Sequence, residues 1–453
     1  MNMLFPLALS LQTHPSIYQR KGDAALASGK YQVASDLYRK GSEGYAKQGD
    51  LNASKILREK SLRYGTTIRW FKRKRIFRTG PLAIHEPTFG CYLGVNIERE
   101  EATKTPQAFN DLVGKHHATF FRYRAYGMPF PKREALELKR AKSGMQIAFE
   151  PLSLDKVRDD AYLRAFANDC RDSGIPIFLR FASEFNGAWT PYHRDPEAYK
   201  TAFRTVARVM HSIAPNVAMV WCPNEIPEAP IERYYPGKEA VDWVGVNFYS
   251  VIYNDADRSR GAEWRWPTDQ LDYVYRKYAT RHPIMVGEWA ATHMSSVDRA
   301  ARPDFAMRKI RQFYATLPLL YPNVKAVHWL SFNALKFARG ERQLNNYSLF
   351  DDGSVANAYY GEIASDWYLE NVPAERAPES WREVPAGSTL APGDQVAVFF
   401  RSYGPTRLTV KADGKTVYSA WSEPVAQFEA LKAAKWEAVL IDAKGKVAGR
   451  SRR

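Results

Sequence analysis

From residue 88 the chain alternates between two textures, and this alternation constrains its fold more than any other feature. Short β-rich runs recur, separated by stretches of helical periodicity. The runs are Phe89–Val95, Ala118–Arg124, Met145–Pro151, Ile175–Phe181, Val217–Cys222, Trp243–Tyr249, Pro283–Trp289 and Val324–Leu330. Helical spacing falls at 131–142, 155–173, 195–212, 268–280, 301–317 and 355–370. Strict β/α alternation predicts a parallel sheet with right-handed crossovers. Eight repeats predict closure into a (β/α)8 TIM barrel, and near-continuous apolar runs fit strands covered on both faces.

The regions outside the barrel read differently. Residues 1–80 are predicted as a helical hairpin segment followed by a basic linker. Ala25–Tyr38 resembles one tetratricopeptide unit, with Gly29, Tyr31, Ala34 and Tyr38 at fitting positions. A single unit cannot bury its own apolar face, so it must pack on the barrel, on a second chain or on a protein partner. Residues 69–78 form a basic run with interleaved aromatics, assigned here to a solvated linker. The barrel is placed at 81–375. Residues 380–453 carry strand-like runs and an A-D-G-K turn at 412–415, which predict a small all-β sandwich. That sandwich reads either as a spacer or as a carbohydrate-binding module.

The net charge of +16 invites a nucleic-acid reading until it is mapped. Residues 1–80 hold +11 and residues 380–453 hold +5, whereas 81–379 contain 37 basic and 37 acidic side chains. A basic nucleic-acid cleft in the barrel is therefore excluded, and a neutral substrate is mildly favoured. Cys91, Cys170 and Cys222 are scattered among apolar neighbours and read as buried thiols. The pattern has neither metal-ligand spacing nor a run of about 20 apolar residues that would span a membrane, and no cofactor is called for. The apolar start, residues 1–12, reads as the stump of a signal peptide or as the beginning of an ordinary element. An extracytoplasmic location is the expectation.

In a barrel of this kind, the C-terminal ends of strands carry the chemistry. Two carboxylates stand at such ends, Glu184 after the fourth run and Glu288 at the close of the seventh. Those strands face each other across the mouth. Glycosidic cleavage needs such a pair: one group protonates the leaving oxygen and the other faces the anomeric carbon. A gap of about 5–5.5 Å between them gives a covalent intermediate and retention of configuration. Their surroundings should push the two pKa values apart, with Glu184 raised.

Three segments resemble glycoside hydrolase family 26, a family of retaining (β/α)8 β-glycanases. Leu179–Trp189, L-R-F-A-S-E-F-N-G-A-W, is similar to its acid/base motif, with Arg180, Glu184, Asn186, Gly187 and Trp189 matching. His282–Trp289 resembles the nucleophile strand and Tyr234–Tyr249 the stretch leading along the sixth strand. The resemblance covers about residues 88–370. It implies a retaining endo-acting hydrolase of β-mannan, β-1,3/1,4-glucan or a bacterial exopolysaccharide. By it, Tyr249 orients the nucleophile, Trp329 forms the platform under the cleaved sugar, Trp189 lines the sites beside the acid/base, Arg180 sits beneath the pair and Asn186 belongs to the substrate site. The family's histidine just before the acid/base glutamate is replaced here by Ser183. That puts the mannan preference in doubt, with His193 and Asn224 as candidates to compensate. The competing reading is a non-catalytic polysaccharide-binding or assembly protein on a degenerate barrel. The paired carboxylates argue against it, because binding alone does not need both.

Overall fold

Eight parallel strands close into a barrel among the residues described by the computed structural model, which are 14–75, 80–373, 379–385, 387–421 and 423–453. The strands are β1 (Cys91–Asn96), β2 (Thr119–Ala125), β3 (Gly144–Glu150), β4 (Ile177–Phe181), β5 (Val217–Trp221), β6 (Trp243–Asn247), β7 (Ile284–Trp289) and β8 (Val324–Leu330). Each pairs with the next, and β8 pairs back onto β1 through Ala326–Tyr92 to Leu330–Asn96. Helices such as Ala161–Ser173 and Pro196–Ile213 fill the crossovers. Their starts have local causes: the Asp160 and Asp195 carboxylates accept from the first free backbone N–H groups.

Strand alternation sorts the side chains into two layers. One set, including Tyr92, Phe178, Val220, Trp243, Met285 and Ala326, fills the barrel interior. The other, including Val95, Leu179, Trp221, Val286 and Trp329, meets the helices. Cys91, Cys170 and Cys222 are buried free thiols.

A register shift on β7 matters for function. Val246 of β6 pairs with Val286, but the next residue, Asn247, pairs with Glu288. Gly287 is the extra residue of this bulge. Without it Glu288 would point toward the helices; the bulge turns it to the same side as Asn247. Gly287 has little room for a side chain, because a Cβ there would lie 2.7 Å from Asn247 Oδ1 and 2.8 Å from Arg180 Nη1.

The remainder forms a second compact unit, joining the described residues up to Phe71 to those from Val384 onward. Helices Pro15–Ala27, Tyr31–Lys47 and Leu51–Tyr64 pack around Ala34, Tyr38 and Leu57. Sequence reasoning left their apolar face for the barrel or a partner. Instead Tyr31 stacks on Tyr403 at 4.7 Å and Arg401 donates to the Leu62 carbonyl at 2.9 Å. The presumed linker is a strand, Thr67–Arg75. Trp70 is fully buried among Val396, Val398, Leu408 and Leu440, so its apolar ring overrides the basic neighbours that suggested a solvated segment. Residues 76–78 of that run, and the apolar start at 1–12, lie outside the described residues. The C-terminal strands Thr406–Ala412, Lys415–Trp421, Trp436–Asp442 and Val447–Arg452 form an antiparallel sheet. Among the described residues no helix is long and apolar enough to cross a membrane.

Candidate active site

The two carboxylates are joined by a hydrogen-bonded chain at the barrel mouth. Asn247 Nδ2 donates to Glu184 Oε1 at 2.9 Å, and Asn247 Oδ1 accepts from Arg180 Nη1 at 2.9 Å. The other terminal nitrogen of Arg180 pairs with Glu288 Oε1. Tyr249 Oη donates to Glu288 Oε2 at 2.5 Å. Trp189 Nε1 donates to Glu184 Oε2 at 2.7 Å. Asn247 was missed as a site residue in the sequence, although its inward position on β6 follows from the alternation that buries Trp243.

Local backbone geometry aims Glu184. Ala182 and Glu184 both have positive φ, 47° and 59°. Non-glycine residues pay for that conformation, and it gathers at functional sites. The Glu184 N–H donates to the Cys222 carbonyl at 2.8 Å, which helps hold the turn.

The electrostatic setting separates the members of the cluster. Burial raises the Glu184 pKa and the Glu288 charge raises it further, against hydrogen bonds from Asn247, Trp189 and Asn224. Burial and then the Glu288 charge hold the Tyr249 hydroxyl well above its ordinary pKa, so it stays a donor. Arg180 is fully buried. Desolvation opposes its charge, but the Glu288 carboxylate outweighs this and keeps it protonated.

A third carboxylate, Glu150 at the end of β3, went unread in the sequence. It accepts from the Ser183 hydroxyl, from the Ser183 N–H at 3.2 Å and from Tyr192 Oη at 2.6 Å. Burial pushes its pKa up to about 7. Ser183, the departure from the family pattern, is thus committed to Glu150.

Other sequence expectations need correction. Trp329 is fully buried, packs edge-on against Trp289 at 5.1 Å and donates to the Tyr347 carbonyl at 3.1 Å. It pairs with Val95 on the helix-facing side, while His328 takes the interior place and bonds Thr119 Oγ1 at 2.8 Å. It therefore offers no face to a sugar. Asn186 donates to the carbonyls of Asn224 and Pro227 and accepts from the Asn224 N–H. Its side chain braces the loop after β5 instead of reaching for substrate. His193 contacts the Thr190 carbonyl at 2.6 Å and Arg194 at 3.3 Å, away from the pair. Asn224 acts on Glu184 by lowering its pKa, against the effect of burial. Near the carboxylates, Trp189, 54% exposed, and Tyr123, 45% exposed, present aromatic rings, and the Glu288 charge acts on the Tyr123 hydroxyl. Among the described residues no cluster of His, Cys, Asp and Glu is suited to hold a metal ion.

Gly287→Ala is expected to cost about 1–3 kcal/mol of stability through overpacking. It should also lower turnover by about 100-fold by displacing Arg180 and Asn247. Thermal unfolding beside kcat checks both; a variant matching the parent in each would show the bulge to be dispensable.

A profile of glycosyl hydrolase family 26 matches residues 153–262. Endoglucanase H of Acetivibrio thermocellus is 26% identical over 263 residues, covering 54% of this chain and 28% of that enzyme. A β-1,3-xylanase from Alcaligenes sp is 30% identical over 135 residues, 28% of each chain. The chain spans less than a third of the length of these relatives. Among solved structures, a modular endo-β-1,4-mannanase from Cellulomonas fimi is 12% identical, with 82% of this chain and 98% of that one covered at a TM-score of 0.44. The family match includes Glu184, Asn247 and Tyr249 and stops before Glu288. The chain is glycoside hydrolase family 26-like.

Proposed function

We propose that the chain is a retaining glycoside hydrolase that cleaves a β-linked polysaccharide by double displacement. The observation that carries this reading is the Glu184–Asn247–Arg180–Glu288 chain, with Tyr249 on the far oxygen of Glu288. Glu288 is the nucleophile. Arg180 and Tyr249 hold its two oxygens in place, so it can attack the anomeric carbon as the glycosidic bond breaks. Glu184, its pKa raised by burial, is the acid that protonates the leaving oxygen. In the second half, the same carboxylate takes a proton from water, which displaces Glu288 from the sugar. Trp189, half-exposed and bonded to Glu184, supplies an aromatic face beside the leaving group.

The relatives' names, xylanase, endoglucanase and mannanase, support β-linked glycans as the substrate class. An endo-acting role in the extracytoplasmic space, on a plant or bacterial polymer, is the reading we adopt. The test is incubation with defined β-glucans, β-mannans, β-xylans and bacterial exopolysaccharides, with the first-formed anomer followed by NMR. Retention of the β configuration is expected. Inversion would remove Glu288 as a nucleophile, and binding without cleavage would return the chain to the non-catalytic reading.

Because Glu184 must be protonated to act, kcat/KM should fall as pH rises through its pKa. With that pKa raised, the alkaline limb should lie above the ordinary glutamate range near 4.3. A pH–rate profile whose alkaline limb sits at or below that value would contradict the assignment.

A further inference from the structure

Next to the carboxylate pair the mouth opens into a cavity of about 810 Å³. It is bounded by the loop after β1, the end of β2, the helix Lys132–Arg140 and the loop after β8. Tyr123 lines it, and the Glu288 charge acts on the Tyr123 hydroxyl, so one side chain borders both the cavity and the carboxylate pair.

Arg122 makes this cavity unusual. It is only 8% exposed, yet its hydrogen bond among the described residues is a long one, 3.4 Å from Nη1 to the Phe121 carbonyl. No carboxylate comes within ion-pair distance of it there. A guanidinium presents five N–H donors in a fixed fork, and burying it without an acceptor is costly. Glu98, Glu134 and Glu137 act on the Arg122 charge from beyond ion-pair distance and have closer partners of their own. Glu98 accepts from Asn96 at 3.2 Å, and Glu100 takes the hydroxyls of Ser331 and Ser348. Glu134 pairs with Arg124 at 3.8 Å and Glu137 with Arg133 at 3.3 Å. Arg99, Lys104 and Arg342 line the same cavity, and among the described residues none of them forms an ion pair. The lining holds five basic side chains (Arg99, Lys104, Arg122, Arg133, Arg342) against four acidic ones (Glu98, Glu100, Glu134, Glu137), a surplus of one positive charge, and four of the five basic groups lack an ion pair among the described residues.

We propose that this cavity is a subsite for a carboxylate-bearing sugar unit of the polymer, with Arg122 as the bidentate partner of the carboxylate. The exposed ring of Tyr123 stacks on the sugar between that unit and the cleavage point. This rests on the hydrolase reading for the path of the polymer, whereas the choice of a carboxylate rests on Arg122, with Arg99, Lys104 and Arg342 in the same lining.

The test uses the full chain on β-glucan, β-mannan and β-xylan, each in neutral form and in two carboxylated forms. In one form the carboxylate is part of the sugar, from oxidation of ring hydroxymethyl groups or from uronic acid side units; in the other it is a carboxymethyl ether. Affinity electrophoresis reads binding and reducing-end release reads cleavage. On the preferred backbone, one carboxylated form should be favoured over the neutral polymer by at least about tenfold in kcat/KM, and the arm that shows it identifies the source of the carboxylate. Arg122→Gln should bring that ratio to about one, and Arg122→Lys should retain part of it. Thermal unfolding of both variants separates loss of fold from loss of preference. A ratio near one in the parent, or a ratio untouched by a folded Arg122→Gln, overturns the proposal. Hydrolysis without carboxylate preference removes the subsite and keeps the hydrolase. Arg122-dependent binding without hydrolysis of any polymer does the reverse, and neither binding nor hydrolysis removes both.

Discussion

Glu288→Gln should lower turnover by at least about four orders of magnitude, because an amide cannot form the glycosyl ester on which the two-step route depends. The choice of glutamine matters. Arg180 is fully buried and its charge is answered mainly by Glu288. Glu288→Ala would strand that guanidinium, and removing one partner of a buried pair costs about 3–5 kcal/mol. Glutamine keeps one oxygen to face Arg180, and its NH2 group can donate to the Tyr249 hydroxyl oxygen. The variant should remain folded by circular dichroism and thermal unfolding while losing activity. Near-parental turnover in a folded Glu288→Gln would remove the nucleophile from the scheme.

Glu184→Gln should have a different signature, graded by leaving group. On a polysaccharide, the departing alkoxide needs a proton, and general acid catalysis contributes about 10²–10⁴-fold; the loss should fall in that range or above it. On an aryl glycoside with an acidic phenol, bond breaking needs little help. Phenol should then appear in a fast burst followed by a slow phase, because the same carboxylate must later activate water. Rapid-mixing measurements on both substrates check this. Equal losses on the two would mean that Glu184 serves structure and not proton transfer.

How much of this was legible in the sequence depended on what each residue's neighbours determine. The barrel strands announced themselves because burial on both faces leaves long apolar runs such as Ile177–Phe181. That Glu184 and Glu288 meet at one rim was legible because the C-terminal strand ends of such a barrel converge there. The bulge that aims Glu288 was not, since a register shift leaves no mark beyond one glycine. Trp329 was misread because an aromatic at a strand end looks the same whether it faces the mouth or the helices. Only its pairing with Val95, beside an inward His328, decides which. Asn186 was misread because its partners are backbone groups of a distant loop. The strand Thr67–Arg75 was hidden by its charge, with Trp70 and Phe71 as its buried side chains.

The contact between Ser183 and Glu150 limits which side chains position 183 can hold. The serine hydroxyl, the carboxylate and Tyr192 form a closed knot, with Tyr192 also bonding the Ser183 carbonyl at 2.8 Å. An imidazole introduced there alone would displace the hydroxyl from an acid already accepting from both neighbours. Position 183 is thus tied to Glu150 and Tyr192 together, so that a bulkier side chain there is accommodated only if its two partners change as well.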